Sequence, residues 1–486
     1  MSAPLPHADP PRKHSLSLLL LSLFLGFLFL SGVYFALPPG TGNSGTGGPP
    51  VTVETLVNVS SNATNETPPL LGVNVRADVY GGPTLLNKAA LPELHMFRWP
   101  GGDLSERYDM MGDNGQGTIY TNGVGAPAPW STAQFVQWCG SIHCQAIFTV
   151  PAEIDNATYA ATLVSYVEEG LGFHPTYWEI GNEPGLWTHF GIPWNDWTSS
   201  QQLAVSPSQY AGVVHAYIAA MRAVDPTIRI IGLGGAGSNS VSEDVWIQQT
   251  VDANGANLSA IAIHVYPAGA GYAGEGTAEI YGSLGSAQAL PSVVPKALKA
   301  IRTACATCNI SLLVDEFNAA TGTALDGFMS TYALVPYLAA EVMQGLTLNI
   351  TSLDLWVLQG GYAGSLFTTT GNPRPTYAFF QYFLPSLGPA VHPVALQPAL
   401  PYAYAVATQS FGANPEAVLM VANLNLTSAV ELTLGGSGFP LSGSTTLTFW
   451  GGAASGPTTG TFASANGSWI LPPDSIGLLS TPGTLT

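Results

Sequence analysis

Positive charge is scarce in this chain. Lys and Arg together number 12 among 486 residues, against 30 Asp and Glu, so the formal net charge at pH 7 is −18. Charged residues make up 9%, where about 25% is usual for soluble proteins. This excludes a nucleic-acid partner, which requires a basic footprint. It also fits a halophile poorly, because the acidity comes from few bases rather than many acids. Two readings of the composition fit: an acidic habitat, in which protonated carboxylates leave only modest self-repulsion, and a secreted protein with a Ser/Thr/Gly surface. No glycine-rich phosphate fingerprint follows any candidate strand, and no metal-ligand spacing appears outside the cysteines. Neither a nucleotide, a redox cofactor nor a metal is therefore expected.

Cysteine is also sparse. The four form two close pairs, Cys139/Cys144 and Cys305/Cys308. Export of the chain favours two local disulfides, with a four-cysteine zinc site as the alternative. The export signal is the apolar run Ser15–Leu37, 23 residues long and preceded by Arg12 and Lys13. That length spans a bilayer, and the positive-inside rule leaves residues 1–14 in the cytoplasm and sends the rest outside. The run exceeds a usual signal-peptide core and lacks a small-x-small cleavage site, which favours an uncleaved anchor over a cleaved signal. The expected location is the cell surface, or the surrounding medium if the segment is removed. Nine Asn-x-Ser/Thr sequons, at Asn58, Asn62, Asn65, Asn156, Asn257, Asn309, Asn349, Asn425 and Asn466, fit a glycoprotein.

What the chain has in abundance is apolar surface, 46% of residues, enough for a large domain and a smaller one. After a Pro/Gly/Ser/Thr-rich linker (38–69), short apolar runs alternate with helical stretches from residue 70 to about 388. Eight strands are predicted: Leu71–Val75, His95–Trp99, Ala146–Val150, Tyr177–Gly181, Arg229–Leu233, Ala260–Val265, Ser311–Asp315 and Leu353–Leu358. Helices such as Ser208–Val224, Pro291–Thr303 and Thr331–Gln344 fall between them. Eight such units predict an α/β fold, a (β/α)8 TIM barrel. Each cysteine pair lies between a helix and the next strand, on the stability face of such a barrel. From 389 to 486 the texture becomes short alternating runs among Gly, Ser and Thr, which predicts a C-terminal antiparallel β-sandwich. The alternating stretch Val51–Val59 is expected to cross over and join it.

Function in a barrel of this kind gathers where strands end. The run Tyr177–Pro184 stops at Asn182-Glu183-Pro184, because proline removes a backbone donor and fixes φ. Arg98 follows strand two, His264 and Tyr266 end strand six, Asp315 and Glu316 end strand seven, and Trp356 lies on strand eight. Strands four and seven face each other across a barrel, so Glu183 and Glu316 would flank a bound molecule. Strand alternation sends Asp315 to the face opposite Glu316, toward the helices; a one-residue slip in register would make Asp315 the inward acid instead.

Four motifs in this order, Phe97–Asp103 (FRWPGGD), Trp178–Pro184 (WEIGNEP), Ile263–Pro267 (IHVYP) and Leu312–Asn318 (LLVDEFN), resemble clan A of the glycoside hydrolases, the retaining (β/α)8 glycosidases. The resemblance covers about residues 70 to 384. It is closest to the β-glucuronidase/heparanase, β-xylosidase and arabinofuranosidase branches, whose C-terminal sandwich also takes a strand from the N-terminus. It implies that Glu183 is the general acid/base and Glu316 the nucleophile, about 5–5.5 Å apart, one protonated and one ionised. Arg98 and Tyr266 would donate hydrogen bonds to Glu316, Asn182 would bind the sugar 2-hydroxyl, and Trp356 would floor the sugar ring.

Asp103 is placed to contact a sugar hydroxyl, and His264 is either a substrate contact or a satisfied core residue. Trp187, with His189, Trp194 and Trp197 in the same loop, either stacks on sugars or packs the loop. The expected partner is a carbohydrate of a plant, microbial or host polysaccharide or oligosaccharide. The scarcity of bases argues mildly against uronic acids. A catalytically silent carbohydrate-binding or adhesion protein on the same fold is the competing reading.

Overall fold

The computed structural model describes residues 51–63, 68–237, 241–434, 438–452, 454, 456–462 and 467–485. The predicted cytoplasmic segment and anchor, most of the linker, and the sequons at Asn65 and Asn466 lie outside this set. Among the described residues no helix is long and apolar enough to cross a membrane.

Eight parallel strands close into a barrel. In chain order they are strand one (Leu70–Asn74), two (Met96–Trp99), three (Gln145–Val150), four (Tyr177–Ile180), five (Ile230–Gly234), six (Ala260–Val265), seven (Ser311–Phe317) and eight (Ser352–Leu355). Each is buried on both faces, as a parallel strand under helices must be. The inner face carries a small apolar plug of Met96, Ile147, Tyr177, Ile231, Ala260, Ala262 and Leu313. The outer face joins the helices in one large core, to which strand four contributes Trp178 and Ile180. Alternation therefore turns Tyr177 and Glu179 inward. The helices start where their chemistry says they should: Ser206 forms a capping box with Gln209 and Pro207 follows at the first helical position of Pro207–Val224.

Both predicted disulfides are present, Cys139–Cys144 and Cys305–Cys308. Each ties a helix end to the start of the next strand, far from the strand tips.

The C-terminal part is a β domain built on nine hydrogen-bonded strands. Strand Ala390–Gln397 serves two halves: residues 390–393 pair with Ala403–Gln409, and 394–397 pair with Val51–Val59. Side chains from both halves, including Val57, Leu419, Val421, Leu432, Trp469 and Leu479, meet in one core. The crossing-over of Val51–Val59 is thus observed. The all-antiparallel expectation is corrected at this point, because Val51–Val59 runs parallel to its other neighbour, Ser428–Thr433.

Candidate active site

Arg98, wholly buried on strand two, organises the strand tips. A guanidinium has five N–H donors, and all five are used here. Nε and Nη2 clasp the Glu179 carboxylate at 2.7 and 2.6 Å, and Nη2 also reaches Asn182 Oδ1 at 2.8 Å. Nη1 donates to Asn74 Oδ1 at 3.0 Å and to Glu316 Oε1 at 2.7 Å. Burial disfavours the charged form, but Glu179, Asp315 and Glu316 outweigh it, so Arg98 stays charged.

Glu183 stands at the tip of strand four in the left-handed region, φ 46° and ψ 59°. A non-glycine residue there carries strain that the surroundings must hold. Its N–H donates to Gly234 O at 2.9 Å, and that of Asn182 donates to Glu106 Oε1 at 2.6 Å. The second Glu106 oxygen accepts from the N–H groups of Ala152 and Glu153, each at 2.8 Å. One buried carboxyl group thereby ties the loops after strands three and four together. Opposite Glu183, Gly235 (φ +63°) is obligatory twice over, since a Cβ would also sit 2.6 Å from the His264 ring.

The structure corrects the placement of Asp315. It lies inside the barrel, with Oδ2 3.2 Å from Arg98 Nε and Oδ1 3.3 Å from His264 Nε2. The reason is an irregularity in strand seven. Its register shifts against strand six between Ile263 and His264, and against strand eight between Val314 and Phe317. A bulge breaks the alternation of two, so Asp315 and Glu316 both turn inward. Asp315 is the deeper of the two and 0% exposed. Glu316 sits at the mouth and takes a second hydrogen bond from the Tyr266 hydroxyl at 2.6 Å.

His264 links the acids: Nδ1 lies 2.9 Å from Glu183 Oε1 and 3.5 Å from Glu316 Oε2, while Nε2 faces Asp315. One carboxylate oxygen from each of Glu183 and Glu316 and a His264 nitrogen lie within 4.8 Å of one another.

Four acids, Glu179, Glu183, Asp315 and Glu316, face two cations, Arg98 and His264. All four cannot ionise cheaply at this depth. Burial pushes Glu179 up to about 7 and raises Glu316, in each case outweighing the nearby cations. Burial also opposes charge on His264, but Glu316 and Asp315 overcome it and hold the ring protonated well above the ordinary histidine range. Burial acts to raise Glu183 as well; the His264 hydrogen bond and charge, with Arg98, pull it below the ordinary carboxylate range. The split expected from sequence, Glu183 protonated and Glu316 ionised, is therefore not the one these surroundings favour. The same surroundings favour a proton on His264.

Glu183, His264 and Glu316 are close enough to offer a metal ion one atom each, but ligation requires a neutral imidazole, which Glu316 and Asp315 oppose. A second such group, Glu168, His174 and Asp225, stands at the opposite, strand-start face.

Trp356 is 4% exposed at the end of strand eight, edge-on to Tyr362 with centroids 5.5 Å apart. The Arg76 guanidinium lies 5.7 Å from its ring centroid. Gly102 makes room for the indole; a Cβ there would meet it at 2.2 Å. Asp103 projects into solvent and pairs with Arg76 at 3.3 Å and Arg107 at 3.4 Å. Trp187 is a packing residue, 4% exposed, stacked on Phe190 and bonded through Nε1 to Asn182 O at 2.7 Å. Trp197 is likewise stacked, against His189. Half-buried Trp194 stacks on Tyr120 and donates to Glu106 O at 2.8 Å.

Asn74, Glu106 and Glu179 were not identified from sequence. Glu179 alone left a signal, a charge on the inward phase of an otherwise apolar strand.

The barrel with its accompanying β domain has the overall fold of several solved glycosidases. An α-L-arabinofuranosidase from Thermotoga maritima superposes with a TM-score of 0.69 at 15% identity, covering 88% of this chain and 100% of the other. A family 51 α-L-arabinofuranosidase from Bifidobacterium longum gives 0.69 at 16% identity, over 88% and 99% of the two chains. A family 44 xyloglucanase from Paenibacillus polymyxa gives 0.65 at 10% identity, over 89% and 100%. At such identities the likeness establishes the fold alone. No family model and no curated protein matches the sequence.

Proposed function

We propose that this protein is a retaining glycoside hydrolase acting on a neutral carbohydrate, with Glu316 as nucleophile and Glu183 as general acid/base. The observation that carries the reading is the approach of Glu183 and Glu316 oxygens to within 4.8 Å across the barrel mouth. Double displacement needs two carboxyls about 5–5.5 Å apart, whereas an inverting enzyme leaves about 6.5–9.5 Å for a water.

In the first step Glu316, held from both sides by Arg98 and Tyr266, attacks the anomeric carbon while the leaving oxygen takes a proton from Glu183. That proton is supplied locally. Moving it from His264 Nδ1 along the 2.9 Å bond to Glu183 Oε1 turns the ion pair into a neutral imidazole and a protonated acid, the form that can donate. In the second step Glu183 accepts a proton from the water that releases the sugar. A neutral sugar is favoured because Arg98 is fully committed, and Arg76 is clasped by Asp78 at 2.6 and 2.9 Å. The apolar run 15–37 supports a cell-surface location, and the sequons support glycosylation.

A panel of nitrophenyl glycosides tests the proposal. The parent protein should turn over at least one of them with retention, and Glu316→Gln should abolish it. Glu183→Gln should lower kcat by about 10²–10⁴-fold on substrates with basic leaving groups, and less where the leaving group needs no proton. Glycan binding without turnover by the parent protein would overturn the reading in favour of a silent lectin-like surface protein.

A further inference from the structure

A cavity of about 470 Å³ opens beside Glu183, within the range of about 300–1,000 Å³ typical of small-molecule sites. It runs away from the barrel axis between the tip of strand five and the starts of helices Glu243–Asn254 and Leu290–Ala304. Glu183 lines it, but Glu316 does not. If Glu183 is the acid, the leaving oxygen lies on its side and the attacked sugar on the side of Glu316, so the cavity is where the departing group would sit.

Its chemistry is specific. Among the described residues of the wall the aromatic rings are Tyr266, whose hydroxyl is engaged by Glu316, and His264, which is paired with the acids; no indole among them offers a face to a flat ring. Besides Glu183, His264 and Tyr266, the polar residues described in the wall are Ser242, Glu243 and Asp244 on one side and Gln288 and Lys296 on the other. Lys296 is exposed and has no ion pair among the described residues. A lysine that only donates and an aspartate that only accepts can share the two hydroxyls of a vicinal diol. Three acids, Glu183, Glu243 and Asp244, stand against Lys296 and His264, so there is no surplus positive charge to receive a uronate or a phosphate.

Resting on the glycosidase reading above, we propose that this cavity is a leaving-group site for a neutral sugar unit, read by Asp244 and Lys296. The protein would then cleave bonds between sugars in preference to bonds from a sugar to an aromatic or alkyl group.

The test compares kcat/KM for a disaccharide and for the nitrophenyl glycoside of the same attacked sugar. Loss of one charged hydrogen bond to the leaving sugar should lower the disaccharide-to-aryl ratio by about tenfold in Lys296→Met and in Asp244→Asn. Lys299→Met, on the same helix but outside the cavity, should leave that ratio unchanged and controls for fold. An unchanged ratio in both cavity variants overturns this inference while leaving the glycosidase reading intact. A parent protein that turns over neither substrate overturns the glycosidase reading itself, and this inference with it.

Discussion

At the scale of single residues the site hangs on Arg98, whose donors are divided among residues from strands one, four and seven. A lysine in its place would offer one compact ammonium with three donors, not a planar fork. Glu179 and Asp315, both 0% exposed, would be left without adequate compensation. Arg98→Lys should therefore cost about 3–5 kcal/mol of stability, measurable by urea denaturation, and should abolish turnover because Glu316 loses its guide. A variant as stable as the parent would contradict this. The strand-tip residues were legible because a charged or amide group at the end of an apolar run stands out in one dimension. Glu106 was not, since its role depends on two loops that reach it from residues 152 and 182. Asn74 gave no signal, being a small polar residue on a short strand.

The elements show a different kind of difference. Period-two alternation places Tyr177 and Glu179 correctly but fails at Asp315-Glu316, where strand seven bulges. The bulge is favoured by what it assembles, since both acids then find cations within the barrel. Its cause is tertiary, and no local pattern in Leu312–Asn318 announces it. The strand Val51–Val59 makes the reverse case. Its alternation identified it as a sheet strand, yet its direction relative to Ser428–Thr433 was set by the topology of the whole domain. Its removal would expose the edges of Ser428–Thr433 and of residues 394–397 in the neighbouring strand, and would take Val57 from the core. A chain starting at residue 68 should aggregate or unfold at a much lower Tm than one starting at residue 51; equal Tm values by calorimetry would refute that dependence.

For the whole molecule, scarce bases and buried acids combine into a pH dependence. Glu106 is pushed up to about 8, and Glu179 and Glu243 to about 7, in each case first by burial. Glu341, on helix Leu334–Leu346, is fully buried with neither carboxyl oxygen hydrogen-bonded among the described residues, and burial alone raises it well above the usual range. Unfolded, each would titrate near about 4.3. The folded state therefore binds more protons than the unfolded state between these values, and this contribution is complete below about pH 4 and lost as pH rises through 7 to 8. Glu183 and Asp315, held low, act in the opposite sense but are fewer. Tm measured from pH 3 to 9 should peak on the acid side and decline toward pH 8, and Glu341→Leu should flatten the decline. A Tm that instead collapses below pH 4 would refute the prediction and, with it, the acid-habitat reading of the composition.

Taken by itself, the sequence determined the periodicities and the strand ends: eight βα units, a β domain drawing on Val51–Val59, and an acid at the tip of strand four with another at the tip of strand seven. These are local facts, set by side-chain type and the breaking effect of proline. Only the tertiary structure decided which acid on strand seven faces Glu183, that Glu179 and Asn74 anchor Arg98, and that His264 lies between Glu183, Glu316 and Asp315. Those outcomes depend on burial and on charges brought together from distant strands, and neither exists until the barrel closes.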